Sequence, residues 1–268
     1  MEKTNIENLL EGVSPEERIP SFTLWEHIAR YVFAAQFIEG KTILDIACGT
    51  GYGASYLMNK GTKMVVGADY LEQAIEYARL HYQKDGLYLL RSDAQQMPFL
   101  NSSFDVIVSF ETIEHLERYE DFLRECKRVL KTNGIFICST PNRDGRFGYK
   151  NPFHLREFSA EEFYELIARY FREVKLCGQG FLKKTDIVKR ESIRRLGPII
   201  RFIPKPIKDF LKRFIQPEQC LFTSLAEVCP NFPRGNDEIV EGKYIPSLLT
   251  QDLPLCRGMI AVARKRDE

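Results

Sequence analysis

Between Lys41 and Ser139, short apolar runs rich in β-branched residues alternate with stretches of helical spacing. Thr42–Ile46 is the first run, and a glycine-rich loop leads from it into a helix at Ala54–Met58. Lys63–Ala68 predicts a second strand, Glu72–Gln83 a helix, Leu87–Leu90 a third strand and Phe104–Ser109 a fourth. Glu117–Lys131 carries Phe122, Cys126, Val129 and Leu130 at helical spacing, and Gly134 is expected to close that helix before a strand at Ile135–Cys138. Upstream, Leu24–Ile38 predicts an amphipathic helix with Trp25, Ile28, Val32 and Ala35 on one face. Downstream, Ser159 is expected to cap a helix reaching Tyr170, with strands at Glu173–Cys177 and Arg257–Ala263.

Strands and helices alternating at this spacing imply βαβ crossovers. The expected fold is therefore α/β, a doubly wound, mostly parallel seven-stranded sheet of Rossmann-like type. Its divisions are N-terminal cap helices in 1–40, the core in 41–180, a basic helical insertion or substrate flap in 181–256 and a final strand and tail in 257–268. Such sheets bind ligands beyond the carboxyl ends of their strands, so functional residues are sought there.

Composition narrows the class. A net charge of +1 argues against a surface built for nucleic acid. The polar, acidic N-terminus does not look like a signal or transit peptide, and no apolar run is long enough to span a bilayer. The 7 cysteines include no Cys-x-x-Cys pair, which reads as reduced thiols in a cytoplasmic protein.

The first strand is followed by Gly49, Gly51 and Gly53. Glycines there admit a ligand close to the backbone beside a helix N-terminus. Alone, this loop also fits a dinucleotide site, or a plain strand-to-helix turn. Asp45, four residues before Gly49, is a carboxylate where a dinucleotide site has an apolar residue, and it suits a ligand with an ammonium and a sulfonium. Asp69 ends the second strand, where an acid accepts ribose hydroxyls, and Asp93 follows the third. This combination, with Phe104-Asp-Val-Ile after it, resembles the class I methyltransferases over residues 20–180 and the last strand. The resemblance implies S-adenosylmethionine as cofactor. It implies that Asp45, Ala47, Gly49 and Gly51 hold the methionine part, Asp69 and Tyr70 the ribose side, Asp93 and Ala94 the adenine, and that Phe110 lines the site. Arg30 or Tyr31 would close over it.

After the fourth strand comes Glu111-Thr-Ile-Glu114-His115; on a helical turn its two acids and imidazole share a face. His154 follows later in Asn151-Pro-Phe-His154. The set resembles those of small-RNA 2′-O-methyltransferases and ubiquinone-pathway O-methyltransferases, which implies a divalent metal such as Mg held by Glu111, Glu114, His115 and His154. His115, His154 and Glu111 are the catalytic candidates. Three readings stay open: that metal site, His115 as a metal-free base with His154 binding substrate, and acids that cap the following helix with the histidines structural or substrate-binding.

Residues 17–35 and 151–159 resemble methyltransferases of bacterial surface-polysaccharide assembly, which favours a sugar or glycan hydroxyl as acceptor. An N-methyltransferase on an aminosugar, a nicotinamide-dependent oxidoreductase and a non-catalytic binding module are the alternatives. Between Lys183 and Arg213 the chain has eleven basic residues against three acids. This stretch (183–215) suits peripheral contact with an anionic membrane, recognition of a substrate diphosphate, or a plain arm with solvated lysines.

Overall fold

The computed structural model describes residues 22–146, 151–181 and 256–265. The expectations for residues 1–21 and for the basic stretch 183–215 and flap up to 255 lie outside the described residues. All described residues fall in one compact unit.

The strands are β1 (Thr42–Ile46), β2 (Met64–Asp69), β3 (Leu87–Arg91), β4 (Phe104–Phe110), β5 (Leu130–Pro141), β6 (Phe171–Phe181) and β7 (Cys256–Lys265). They form one seven-stranded sheet in the order β3-β2-β1-β4-β5-β7-β6. The first five pair in parallel, and β7 runs antiparallel to both β5 and β6. The sheet is thus mostly parallel, as expected, with one antiparallel hairpin. Strand order reverses between β1 and β4, which opens a crevice at their carboxyl ends. The register Phe181↔Cys256 also places the ends of β6 and β7 at that edge.

The helices are α1 (Phe22–Ala34), α2 (Tyr52–Met58), α3 (Glu72–Tyr82), α4 (Tyr119–Val129) and α5 (Ala160–Tyr170). Ser159 caps α5 as expected, in a reciprocal capping box with Glu162. One apolar cluster runs from Leu44 and Ile46 through Ile107 and Phe136 to Phe122 of α4 and Phe163 of α5. Phe136 stacks on Phe171 with ring centroids 4.6 Å apart. Burying such rings supplies roughly 1.5–3 kcal/mol each, so the crevice is built on a rigid floor. Among the described residues no helix is long and apolar enough to cross a membrane.

The boundaries depart from the sequence pattern at three places. The upstream helix ends at Ala34 and tightens into a single 3₁₀ turn, Ala35–Phe37. Helix α4 stops at Val129, and Leu130 already pairs with Phe104 before a bulge returns the chain to register at Ile135. Gly134 therefore serves the bulge rather than a helix end: a Cβ there would stand 2.7 Å from Leu130 Cγ and 2.8 Å from the Lys131 carbonyl. Strand β6 starts at Phe171 rather than Glu173, because Glu173 (φ 50°) sits in a second bulge that periodicity cannot foresee.

Candidate active site

The loop after β1 contains three left-handed residues at alternate positions, Ala47 (φ 62°), Gly49 (φ 55°) and Gly51 (φ 80°). Its glycines do different jobs. A Cβ on Gly51 would meet Ala78 Cβ of α3 at 2.6 Å, so this glycine lets the loop lie against that helix. A Cβ on Gly49 would meet nothing within 4 Å, so that side of the loop is open to a ligand. At Gly53 a Cβ would stand 1.9 Å from the Tyr31 ring, so that position makes room for α1.

Gly53→Ala is accordingly expected to expel the Tyr31 ring and cost about 1–3 kcal/mol, the usual range for overpacking. A melting curve should show a fall of several degrees. Tyr31→Ala removes the obstacle, so the double variant should melt no lower than Tyr31→Ala alone; an additive fall would refute the contact.

Asp45 on β1 is fully buried, and the Tyr31 hydroxyl lies 3.3 and 3.1 Å from its two oxygens, donating to the carboxylate. Burial pushes the Asp45 carboxyl up to about 7, aided by the nearby Asp69 charge and opposed by the Tyr31 hydrogen bond. Tyr31 meets Phe110 (5.0 Å) and Tyr52 (5.7 Å) edge to face. The ring that touches the acid thus carries two more aromatic rings beside it, a surface that favours a cation.

Asp69 ends β2 beneath the loop and accepts from the backbone N–H groups of Gly49 (2.8 Å) and Leu71 (2.9 Å). Burial raises its carboxyl, and these backbone hydrogen bonds pull the other way. The next residue, Tyr70, is 60% exposed, with the Arg91 guanidinium 5.4 Å from its ring centre. Asp93 uses Oδ1 to accept from Gln95 N (2.8 Å), and Ala94 is buried behind it.

From α1, Arg30 reaches across the crevice. Its Nε donates to Gln179 Oε1 (2.8 Å), and its Nη2 lies 3.5 Å from Glu111 Oε1. Among the described residues Nη1 is buried without a hydrogen-bond partner. Ser139 Oγ donates to the same Glu111 oxygen at 2.8 Å. Gln179 and Ser139 were not singled out from sequence; Gln179 lies 149 residues from Arg30, and no local pattern marks it.

Glu111 itself corrects one expectation. It is not part of a helical turn: it sits at φ 52°, and a 3₁₀ turn begins only at Ile113 (Ile113–His115). A helix-face argument therefore fails there. Its backbone N–H instead donates to the Ser139 carbonyl and hydroxyl on β5.

The structure does bring Glu114, His115 and His154 together, with one potential ligand atom from each within 4.8 Å of the others. Glu111 is engaged by Arg30 and Ser139 instead. The His115 and His154 rings meet edge to face, centroids 4.9 Å apart. His115 Nδ1 lies 3.1 Å from the Phe153 carbonyl, which can only accept, so the proton is on Nδ1 and the lone pair on Nε2. His154 Nδ1 lies 2.8 Å from Glu157 Oε1, and its Nε2 is 3.0 Å from Asn151 Nδ2. Glu114 is fully buried: Thr140 Oγ1 donates to Oε2 (3.0 Å), whereas Oε1 takes no hydrogen bond among the described residues. Burial, then the Glu111 charge, holds its carboxyl well above the usual carboxylate range. The Glu114 carbonyl accepts from Leu155 N and Arg156 N, pinning the His154 loop to the turn.

The strand order, the glycine turn at the carboxyl end of β1 and the acids closing β2 and β3 define a Rossmann-like methyltransferase fold. Residues 44–138 match a family described as a methyltransferase domain. Residues 44–138 are thus similar to the class I S-adenosylmethionine-dependent methyltransferases. A Mycobacterium tuberculosis protein named "Probable S-adenosylmethionine-dependent methyltransferase Rv3030" is 35% identical over 173 residues, 63% of this chain and 62% of that protein. The Roseobacter denitrificans ubiquinone biosynthesis O-methyltransferase is 37% identical over 108 residues, 40% of this chain and 43% of that one. The chain thus spans less than two thirds of the length of the curated relatives it matches. An S-adenosylmethionine-dependent methyltransferase from Mesorhizobium loti has the same fold, with a TM-score of 0.51 at 14% identity over 87% of this chain and 96% of that one.

Proposed function

We propose that this protein is an O-methyltransferase that moves the methyl group of S-adenosylmethionine to a small-molecule hydroxyl, on a sugar or glycan, with His115 as the base. The observation that carries the reading is the His115–His154–Glu114 group beside the turn after β4, with the His115 lone pair on Nε2. The residues present fit the cofactor on two grounds. Gly49 is open on the ligand side, and Arg30 Nη1 is a buried donor awaiting an anion.

Bound S-adenosylmethionine supplies an electrophilic methyl carbon on a sulfonium. Arg30 Nη1 would hold the methionine carboxylate, Asp45 the cationic part, Asp69 the ribose and Asp93 the adenine amine. His115 Nε2 would take the proton of the acceptor hydroxyl, leaving its oxygen able to accept the methyl group that the cofactor would supply. The exposed Phe153 ring, 67% accessible beside the histidine pair, suits stacking on a sugar ring. A relative that is an O-methyltransferase supports an oxygen acceptor.

A second reading has an observation of its own. Both imidazoles set Nδ1 against an oxygen, and Glu114 Oε1 is a buried oxygen with no hydrogen bond among the described residues. That is the outer-shell pattern of histidines that ligate a metal. To bind an ion, His154 Nε2 would exchange its contact with Asn151 Nδ2 for the metal. Two imidazoles and a carboxylate suit Mn, Fe or Zn better than Mg, and the ion would ease deprotonation of the acceptor.

Methyl-label transfer from S-adenosylmethionine to a panel of glycans and aminosugars tests the proposal. Label in ethers on the glycans supports it, and label confined to amines replaces it with N-methylation. Rigorous chelation is expected to leave transfer intact. Loss of activity restored by Mn²⁺, with a Mn²⁺-induced rise in melting temperature that Glu114→Gln abolishes, would put the metal in place of the base.

A further inference from the structure

Gln179 stands at the root of the Arg30 network. It lies near the end of β6, opposite Gly258 of β7. Its Oε1 accepts from Arg30 Nε at 2.8 Å, and its Nε2 donates to the Glu26 carbonyl at 2.9 Å. The amide orientation follows from the partners, since a guanidinium can only donate and a carbonyl can only accept. Glu26 and Arg30 are one helical turn apart, so a single side chain staples that face of α1 to the end of β6. Gly258 faces the pair without a side chain: a Cβ there would stand 3.5 Å from Arg30 Nη2 and 3.8 Å from Gln179 Oε1.

A guanidinium is a planar fork, so fixing one edge aims the rest. Here Gln179 claims Nε, Glu111 attracts Nη2, and Nη1 is left buried without a partner among the described residues. Leaving a buried donor unpaired is costly, and the arrangement makes sense if an anion completes it. We infer that Gln179 is a positioning residue of the cofactor site, whose amide holds Arg30 in the orientation that receives the carboxylate of the cofactor's methionine part. The inference rests on the methyltransferase reading above.

Calorimetry with two ligands separates positioning from general structure. S-adenosylhomocysteine carries the carboxylate; 5′-methylthioadenosine shares the adenosine and sulfur but lacks the amino-acid part. Gln179→Leu is expected to weaken S-adenosylhomocysteine about tenfold or more, the scale of a lost charge-assisted hydrogen bond, and to leave methylthioadenosine within about twofold. Arg30→Met should show the same split, and the double variant should bind no worse than Arg30→Met alone. Gln179→Glu keeps the acceptor for Arg30 but loses the donor to the Glu26 carbonyl, so it should show a smaller split than Gln179→Leu, which covers the case in which the leucine variant folds poorly.

If Arg30→Met shows the split but Gln179→Leu weakens both ligands equally, or the two effects add, the inference is overturned while the cofactor reading stands. If the wild type binds neither ligand, or Arg30→Met leaves the ratio unchanged, the reading of the site falls and takes the inference with it.

Discussion

Asp45→Asn is expected to raise the melting temperature above pH 7 while weakening S-adenosylmethionine binding, two opposite effects from one buried charge. The Asp45 carboxyl is pushed from 3.8 up to about 7, chiefly by burial. A group whose folded-state value is raised contributes stability below its unfolded value and loses it as pH climbs through the folded one. Between pH 4 and 7 the unfolded chain has released the proton that the folded chain still holds, so folding takes up a proton and stability falls with pH. Above pH 7 the cost is complete, at most about 4 kcal/mol at 1.36 kcal/mol per unit. Asparagine does not titrate and can still accept from the Tyr31 hydroxyl. The variant's advantage should therefore be near zero at pH 4, grow through pH 7 and level off by pH 8, as a rise of several degrees. Affinity should move the other way, since in the proposed site the ionised acid would face the cationic part of the cofactor. Wild-type binding should strengthen as pH rises through 7, whereas the asparagine variant should be flat and at least tenfold weaker at pH 8. Melting differences that are equal at pH 5 and pH 8 would show that Asp45 does not carry this charge.

The contrast between the floor of the site and its rim shows what a linear reading can reach. Strands β1, β2 and β4 are visible as apolar runs because both faces of a central parallel strand are buried, and Asp45 and Asp69 stand out as the polar exceptions. The Ser159 cap was legible for a local reason, as its partner Glu162 lies three residues on. The rim is another matter. Gly53 reads as one more ligand glycine until Tyr31, from an earlier helix, is found occupying the space its missing Cβ leaves. Glu111 reads as helical because spacing is the only guide, whereas its left-handed backbone follows from hydrogen bonds to Ser139 on a neighbouring strand. Gln179 carries no signal at all, because its role exists only once β6 folds back beside α1. Long-range polar contacts and single left-handed residues are set by tertiary structure, and neither leaves a periodic trace.

His115→Ala is expected to lower the rate of oxygen methylation by about 10²–10⁴, the usual contribution of a positioned general base. Affinity for S-adenosylhomocysteine should stay within about twofold, because His115 does not belong to the group formed by Asp45, Asp69, Asp93 and Arg30. Alanine alone is ambiguous: it also breaks the hydrogen bond between Nδ1 and the Phe153 carbonyl, and so loosens the loop that presents the Phe153 ring. His115→Asn resolves the ambiguity, because an asparagine amide can donate to the same carbonyl yet has no basic nitrogen. If His115 is the base, Asn should be as inactive as Ala while its acceptor affinity approaches the wild type. If His115 only holds the loop, Asn should recover most of the activity. The neighbouring histidine gives an internal comparison. His154 is held between Glu157 and Asn151, and it meets His115 by a ring edge, so its replacement should act through orientation. His154→Ala should cost less than His115→Ala, and the double variant should be no slower than His115→Ala alone. An aminosugar acceptor already neutral at the assay pH would make His115→Ala nearly silent, because a free amine attacks the methyl carbon without first giving up a proton.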